Sequence, residues 1–165
     1  MVNVQIEELM QRVQLLEDER NILQTLHRYC HAIEIGLEEE WVGCFTEDGR
    51  LLIHWRDQTS APIVGHKELA KFIANHSRAP SRYHKHIYAV PLMTIDGNSA
   101  NVTGYVVRID EDEGEPTIWS FGRYHDQMVK TSAGQWRIHE RRLEIESAHH
   151  NNPFNRNVAI ENPSG

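Results

Sequence analysis

The sequence predicts one α+β domain in which helices come first and an antiparallel sheet follows. Over roughly the first 35 residues, apolar side chains recur at three- and four-residue steps, which is typical of an amphipathic helix. After Arg82 the pattern changes to strands separated by short turns that are rich in Gly, Asn and Asp. Helices gathered ahead of a sheet indicate an α+β fold and not an alternating, doubly wound α/β fold.

Three helices are expected from the periodicity and its breaks. The first runs from about Ile6 to Ile35 and is stopped by Gly36. A short second helix covers Glu38–Phe45 and ends in the turn Thr46–Gly49, and a third covers about Lys67–Asn75. Packed together, these helices should cover one face of the sheet.

The strands follow from runs of β-branched, aliphatic and aromatic residues. A first strand is predicted at Arg50–Trp55, and four more at His84–Ile95, Ala100–Ile109, Thr117–Lys130 and Gln135–Ser147. The acidic stretch Asp110–Glu115 should divide two of these strands, and within it the run Asp110–Glu113 should be a solvated hairpin loop. The domain is expected to span residues 1–148. Residues 149–165 lose the periodicity and should form a tail that is disordered or draped over a neighbouring subunit.

Charge and composition exclude several classes of partner. The 165 residues include 24 Asp and Glu against 17 Lys and Arg, a formal net charge of -7, which argues against nucleic acid and against an anionic membrane. No apolar run approaches the roughly 20 residues of a membrane span, and the N-terminus has no signal core. The two cysteines, Cys30 and Cys44, cannot form a disulfide framework, so a reducing cytoplasm is expected.

Three segments carry a further signal: Leu16–Glu34, Phe45–Gly49 and Gly122–Arg142. They resemble the SnoaL-like branch of the nuclear transport factor 2 superfamily, which includes scytalone dehydratase and bile-acid 7α-dehydratase. Their order and spacing cover nearly the whole domain. The resemblance implies a cone-shaped barrel, in which a curved antiparallel sheet wraps on the N-terminal helices around a hollow interior that binds an apolar small molecule.

The resemblance also implies a catalytic set. The base position of the dehydratases falls on His86, the acid position on Glu34 and the tyrosine position on Tyr29. An imidazole titrates near neutrality, a carboxylate can fix its tautomer, and a phenol can donate to a developing enolate oxygen. The family usually has Asp where this chain has Glu34. On an ideal helix Tyr29 and Glu34 lie about 140° apart, so they converge only if the helix ends or turns before Gly36.

Other residues complete the predicted pocket. His84 faces the same side of its strand as His86, so it is either the true base or a second donor. The strand aromatics Trp55, Tyr88 and Trp119 are expected to contact the substrate. His-x-His on a strand needs a third ligand to hold a metal, and the sequence shows none of settled spacing, so we expect neither a metal nor a cofactor.

The expected function is that of a cofactor-free lyase or isomerase, with dehydration first, acting on a cyclic apolar molecule such as a polyketide, a steroid or an aromatic catabolite. The alternative is a non-catalytic ligand-binding protein or an accessory subunit resembling the small subunit of ring-hydroxylating dioxygenases, because this fold supports both. A homotrimer or homodimer is expected, because helices on one face leave the other sheet face for a partner.

Overall fold

A computed structural model describes residues 2–56 and 58–152, which form three helices and seven strands. The helices are α1 (Val2–Ile35), α2 (Glu38–Val42) and α3 (Gly65–Ala74). The strands are β1 (Phe45–Trp55), β2 (Gln58–Thr59), β3 (Ile63–Val64), β4 (His84–Asp96), β5 (Ser99–Asp112), β6 (Glu115–Lys130) and β7 (Trp136–Ala148). None of the described helices combines the length with the apolar character that a membrane span needs.

The sheet confirms the predicted α+β class and contains more strands than the sequence predicted. Its strand order is β2-β1-β7-β6-β5-β4, and β3 pairs separately with β1. Strands β4 to β7 form the expected antiparallel meander. Strand β1 joins β7 in parallel, so the sheet is mixed and not wholly antiparallel. The chain between β1 and β7 contains β2, β3, α3 and strands β4 to β6, and β7 returns to lie beside β1 in the parallel direction.

The second half of α1 supplies the helical side of the core. Ile22, Leu26, Tyr29 and Ile33 recur at steps of four, three and four, and each is at most 3% exposed. At the middle of the helix, the Trp136 indole N–H donates to Asp18 Oδ1 at 2.8 Å. The helix therefore packs on β7 from Asp18 onward.

A buried ion pair connects β6, β7 and α1. The Arg141 guanidinium donates to both carboxylate oxygens of Asp126 at 2.7 Å, and neither side chain is exposed. Asp126 and Arg141 are also direct partners across the two strands. The Arg141 Cζ lies 4.1 Å from the ring centre of Tyr29 and 4.0 Å from that of Tyr124, so the cation packs on both aromatic rings.

A β-bulge changes the register of β4 on β5. Leu92 pairs with Thr103 near the hairpin turn, but beyond Val90 and Pro91 the pairing shifts by one residue, so His86 pairs with Arg108. Val90 has a positive φ of 52°, which a β-branched residue rarely adopts. The shift brings the imidazole of His86 and the guanidinium of Arg108 to neighbouring positions of the sheet.

Two boundaries differ from the prediction at the start of β1. The second helix ends at Val42, and Phe45 is instead a strand residue that pairs with Ile138. The Ile138 N–H donates to the Cys44 carbonyl at 2.8 Å, so strand pairing replaces the last predicted helical turn. The predicted turn Thr46–Gly49 lies inside β1, as an irregularity in its pairing with β7.

The prediction was also wrong for Asp110. It is not a solvated loop residue but a strand residue with no exposed surface, because Arg108 and Arg82 neutralise its carboxylate. The hairpin turn comes later, at Glu113 and Gly114. Of the predicted tail, residues 149–152 pack on the domain: His149 stacks on Trp119 with ring centres 5.4 Å apart. Residues 153–165 lie outside the described part of the chain.

The Asp126–Arg141 pair yields the first testable prediction. Replacing Asp126 by Asn leaves the Arg141 charge buried without a counter-ion, so we expect the free energy of unfolding to fall by about 3–5 kcal/mol. Glu146→Gln is the matched control, because its ion pair with Arg123 at 2.8 Å is largely exposed and should contribute about 0–1 kcal/mol. Urea unfolding measures both, and similar losses for the two variants would contradict this account.

Candidate active site

A cavity of about 350 Å³ lies between the sheet and the segment that follows α3. Its lining combines apolar and polar side chains. The apolar lining is formed by Val106, Trp119, Phe121, Tyr124, Leu143 and Ile145. The polar lining includes Asn75, Ser77, Arg82, His86, Arg108 and Asn152. An apolar enclosure with a few converging polar groups is the usual form of a small-molecule site.

His86 is the titratable base in this lining. It lies near the start of β4 and is only 9% exposed. Burial, reinforced by the positive charge of Arg108, lowers the pKa of His86 well below its ordinary value of 6.5, so the ring is neutral at physiological pH. Its Nδ1 atom is buried and has no hydrogen-bond partner among the described residues.

Glu34 holds the backbone at His86. Its Oε1 accepts the His86 backbone N–H at 2.9 Å, and its Oε2 accepts the Lys85 ammonium at 2.8 Å. These bonds join the end of α1 to the start of β4. The predicted acid therefore lies beside the predicted base, but both carboxylate oxygens contact groups other than the imidazole.

Three imidazoles meet at one edge of the cavity. The ring centres of His76, His84 and His86 lie 5.1 to 5.6 Å apart. Burial, followed by the charge of Arg108, lowers the pKa of His76 to about 4, and the same causes lower the pKa of His84. Across the described ranges, no group of three or more His, Cys, Asp and Glu side chains is arranged to hold a metal ion.

Arg108 and Arg82 are the cations in the cavity lining, and Asp110 contacts both; Arg108 is bound to it through two hydrogen bonds. Its Nε and Nη2 donate to the two Asp110 oxygens at 2.6 and 2.8 Å. The Asp110 carboxylate also meets the Arg82 Nε at 2.9 Å, and the Arg82 guanidinium lies 4.4 Å from the ring centre of Trp119. Two guanidinium groups sharing one buried carboxylate leave a net positive charge beside a neutral imidazole.

Comparison with known proteins gives the family. The SnoaL-like domain family matches residues 14–142, which is more than half of the chain. The chain belongs to the SnoaL-like family. None of the curated proteins compared with this sequence matches it.

Solved structures share the fold. A protein of unknown function from Mycobacterium tuberculosis is 29% identical, with a TM-score of 0.70, covering 83% of this chain and 74% of that one. A nuclear transport factor 2-like protein from Novosphingobium aromaticivorans is 21% identical, with a TM-score of 0.75 and coverages of 86% and 90%. Another from the same organism, named as a candidate scytalone dehydratase, is 20% identical, with a TM-score of 0.69 and coverages of 84% and 90%.

The predicted site residues of this SnoaL-like protein fall into two groups. Among the described residues that line the cavity, His86 and Trp119 come from the predicted set. Tyr29 is instead buried in the core under Tyr124, with ring centres 6.0 Å apart, and burial raises its pKa. Tyr88 packs against the other side of Tyr124 at 5.7 Å.

His84 and Trp55 are also buried outside this cavity lining, at 3% and 6% exposure. His84 lies behind His86, where neither of its ring nitrogens has a partner among the described residues. Sequence reasoning missed Arg108, Tyr124 and the third histidine, His76. The only signal for Arg108 is its position opposite His86 across two strands, which becomes visible once the bulge is known.

The histidine cluster predicts how stability depends on pH. The unfolded imidazoles bind protons near pH 6.5, while the folded ones stay neutral to lower pH. Below pH 6.5 the unfolded state therefore binds more protons than the folded state. As the pH falls, the free energy of unfolding decreases by about 1.4 kcal/mol per pH unit for each of these extra protons. We expect a slope of more than one proton between pH 6.5 and pH 5 in urea unfolding.

A double variant tests whether this cluster causes the slope. His76→Gln with His84→Gln should flatten the slope by one to two protons. The same exchange at His27 and His31, which are exposed on α1, is the control and should leave the slope unchanged. A cluster variant with the wild-type slope would show that other groups titrate in this range.

Proposed function

We propose that this protein is a cofactor-free lyase that dehydrates a cyclic β-hydroxy ketone, with His86 as the general base. The observation that supports this most strongly is the neutral imidazole of His86 in the lining of an apolar cavity, next to the fixed guanidinium of Arg108. Removing a proton beside a carbonyl needs an uncharged base and a positive group near the oxygen on which charge develops.

The cavity suits a small ring system. Its volume of about 350 Å³ lies at the lower end of ligand pockets, which hold about 300–1,000 Å³. The rings of Trp119 and Tyr124 offer flat apolar walls for a planar substrate. One of the Novosphingobium aromaticivorans neighbours is named as a candidate scytalone dehydratase, and this name supports a dehydratase among the possible lyases.

The proposed reaction uses groups of this chain alone. His86 takes the proton from the carbon next to the carbonyl, and the electron pair of that C–H bond moves onto the carbonyl oxygen. The enolate then reforms the carbonyl as the C–O bond to the β-hydroxyl breaks. The departing hydroxide takes the proton back from the imidazolium and leaves as water. Base and acid are therefore the same residue in successive steps.

Arg108 is proposed to stabilise the enolate oxygen. Its bidentate contact with Asp110 holds the guanidinium in one orientation, so little reorganisation is needed when the negative charge forms. The imidazolium and the enolate form together as an ion pair. This pairing offsets the low pKa of His86, which would otherwise disfavour the charged ring.

Glu34 and Tyr29 are proposed to act as positioning residues. Glu34 fixes the His86 backbone through its 2.9 Å hydrogen bond, and Tyr29 supports the cavity wall through its contact with Tyr124. One observation favours the alternative, a binding protein without catalysis: the carboxylate of Glu34 does not contact the imidazole that it would have to stabilise. The test of the function therefore separates binding from turnover.

3-Hydroxy-1-tetralone is a suitable probe, because losing water converts it into 1-naphthol, which is followed by ultraviolet absorbance. We expect the wild-type protein to accelerate this reaction, and His86→Gln to lower turnover by about 10²–10⁴-fold while ligand affinity stays within a few-fold. His84→Gln is the matched control, two residues away on the same strand face but outside the cavity lining. It should keep most of the turnover.

Other results would change the assignment. Loss of turnover in His84→Gln with full turnover in His86→Gln would make His84 the base. Tight binding of the tetralone, measured by calorimetry, without any acceleration in the wild type would favour the non-catalytic alternative. Glu34→Gln keeps an acceptor for the His86 N–H, so its turnover should fall less than that of His86→Gln.

A further inference from the structure

The first half of α1 lies outside the domain core. Every side chain from residue 3 to residue 17 is exposed, whereas Asp18 is 5% exposed and Ile22 is fully buried. A helical segment of this length extends about 22 Å at 1.5 Å per residue. Despite its exposure it carries several large apolar side chains, and four of them align along one side of the helix.

Four of these apolar residues follow a heptad spacing. Ile6, Leu9, Val13 and Leu16 are separated by three, four and three residues, and their exposed fractions lie between 46% and 64%. They occupy positions a, d, a and d of two successive heptads. This spacing forms a continuous apolar stripe that pairs with an equivalent stripe on another helix.

The attachment of α1 to the domain directs this stripe outward. Asp18 occupies position f of the second heptad, and its carboxylate accepts both the Trp136 indole N–H at 2.8 Å and the Lys130 ammonium at 2.7 Å. Position f lies opposite the a and d positions on a helix. The side of α1 held against the domain is thus opposite Val13 and Leu16, which leaves their side available to a partner.

Charged residues beside the apolar stripe favour a second copy of this chain as the partner. Arg12 is at position g and Glu17 is at the following position e, the two positions that form ion pairs between the helices of a parallel coiled coil. In a two-fold dimer of this chain, each Arg12 would meet the Glu17 of the other copy. An antiparallel pair would bring the two Arg12 side chains together instead. The neighbouring acids Glu7 and Glu8 disfavour an anionic membrane surface as the partner.

We propose that residues 3–17 of α1 pair with the same segment of a second copy of this chain, as a parallel two-stranded coiled coil. This surface is separate from the open sheet face that we expect to support a homotrimer or homodimer. It does not depend on the proposed enzymatic function, because the cavity lining lies entirely on the folded domain.

Light scattering of the full chain tests the contact. We expect the double variant Leu9→Glu with Leu16→Glu to have half the molar mass of the wild type, with the domain still folded by circular dichroism. The matched control is Val4→Glu with Leu15→Glu, which adds the same charge at exposed apolar residues off the stripe and should keep the wild-type mass. Equal masses for the wild type and the stripe variant, or a monomeric wild type that binds lipid vesicles, would overturn the proposal.

Two further variants test the parallel orientation. Arg12→Glu and Glu17→Arg should each weaken the dimer in a dilution series, and their combination should restore it. Leu9→Cys should form an intermolecular disulfide on mild oxidation, because position 9 meets its own copy only in a parallel pair. Cys30 and Cys44 should not interfere, since burial raises the pKa of each thiol to about 11. No crosslink, together with no rescue by the combined charge exchange, would exclude this orientation.

Discussion

The buried Asp126–Arg141 ion pair is the contact on which the packing of α1 against the sheet depends. The two residues face each other across β6 and β7, and the guanidinium packs on the rings of Tyr29 and Tyr124. A slip of one residue between these strands would turn one of the two side chains to the opposite sheet face and leave the other charge buried alone, at a cost of about 3–5 kcal/mol. The Asp126–Arg141 contact therefore fixes the register of β6 on β7, the position of α1 and the orientation of Tyr124, which lines the cavity.

Two further hydrogen-bonded contacts position the polar groups of the cavity. Glu34, at the end of α1, holds the backbone of His86, so the helix that rests on Arg141 also sets where the imidazole lies. On the neighbouring strand, Asp110 fixes Arg108 opposite that imidazole. Burial lowers the pKa of His86 and keeps its ring neutral, and the guanidinium held by Asp110 is the positive group that the proposed enolate would require.

Hydrophobic periodicity was enough to predict the helices and the meander, because burial of one face dominates their formation. Periodicity failed where contacts between distant residues decide the structure. Phe45 continues the helical pattern in the sequence but pairs with β7 as a strand residue. Asp110 is buried because Arg108 and Arg82, which the periodicity does not place beside it, neutralise its charge. The bulge at Val90 had the largest effect. Near the β4–β5 turn the odd-numbered residues of β4 face inward, and continuing this alternation toward the start of the strand would put His86 on the outer face. The extra residue of the bulge reverses the alternation, and no sequence pattern indicates where it occurs.

The proposed function depends on the removal of a proton next to a carbonyl by His86 inside this cavity. The most direct measurement uses 1-tetralone, which lacks the β-hydroxyl and cannot lose water, so that exchange of its C2 protons with D₂O, followed by NMR, reports the proton transfer alone. We expect the wild-type protein to accelerate this exchange, and His86→Gln to bind 1-tetralone with similar affinity without accelerating it. Equal exchange rates in the two proteins, or bound 1-tetralone that does not exchange in the wild type, would contradict the proposed function.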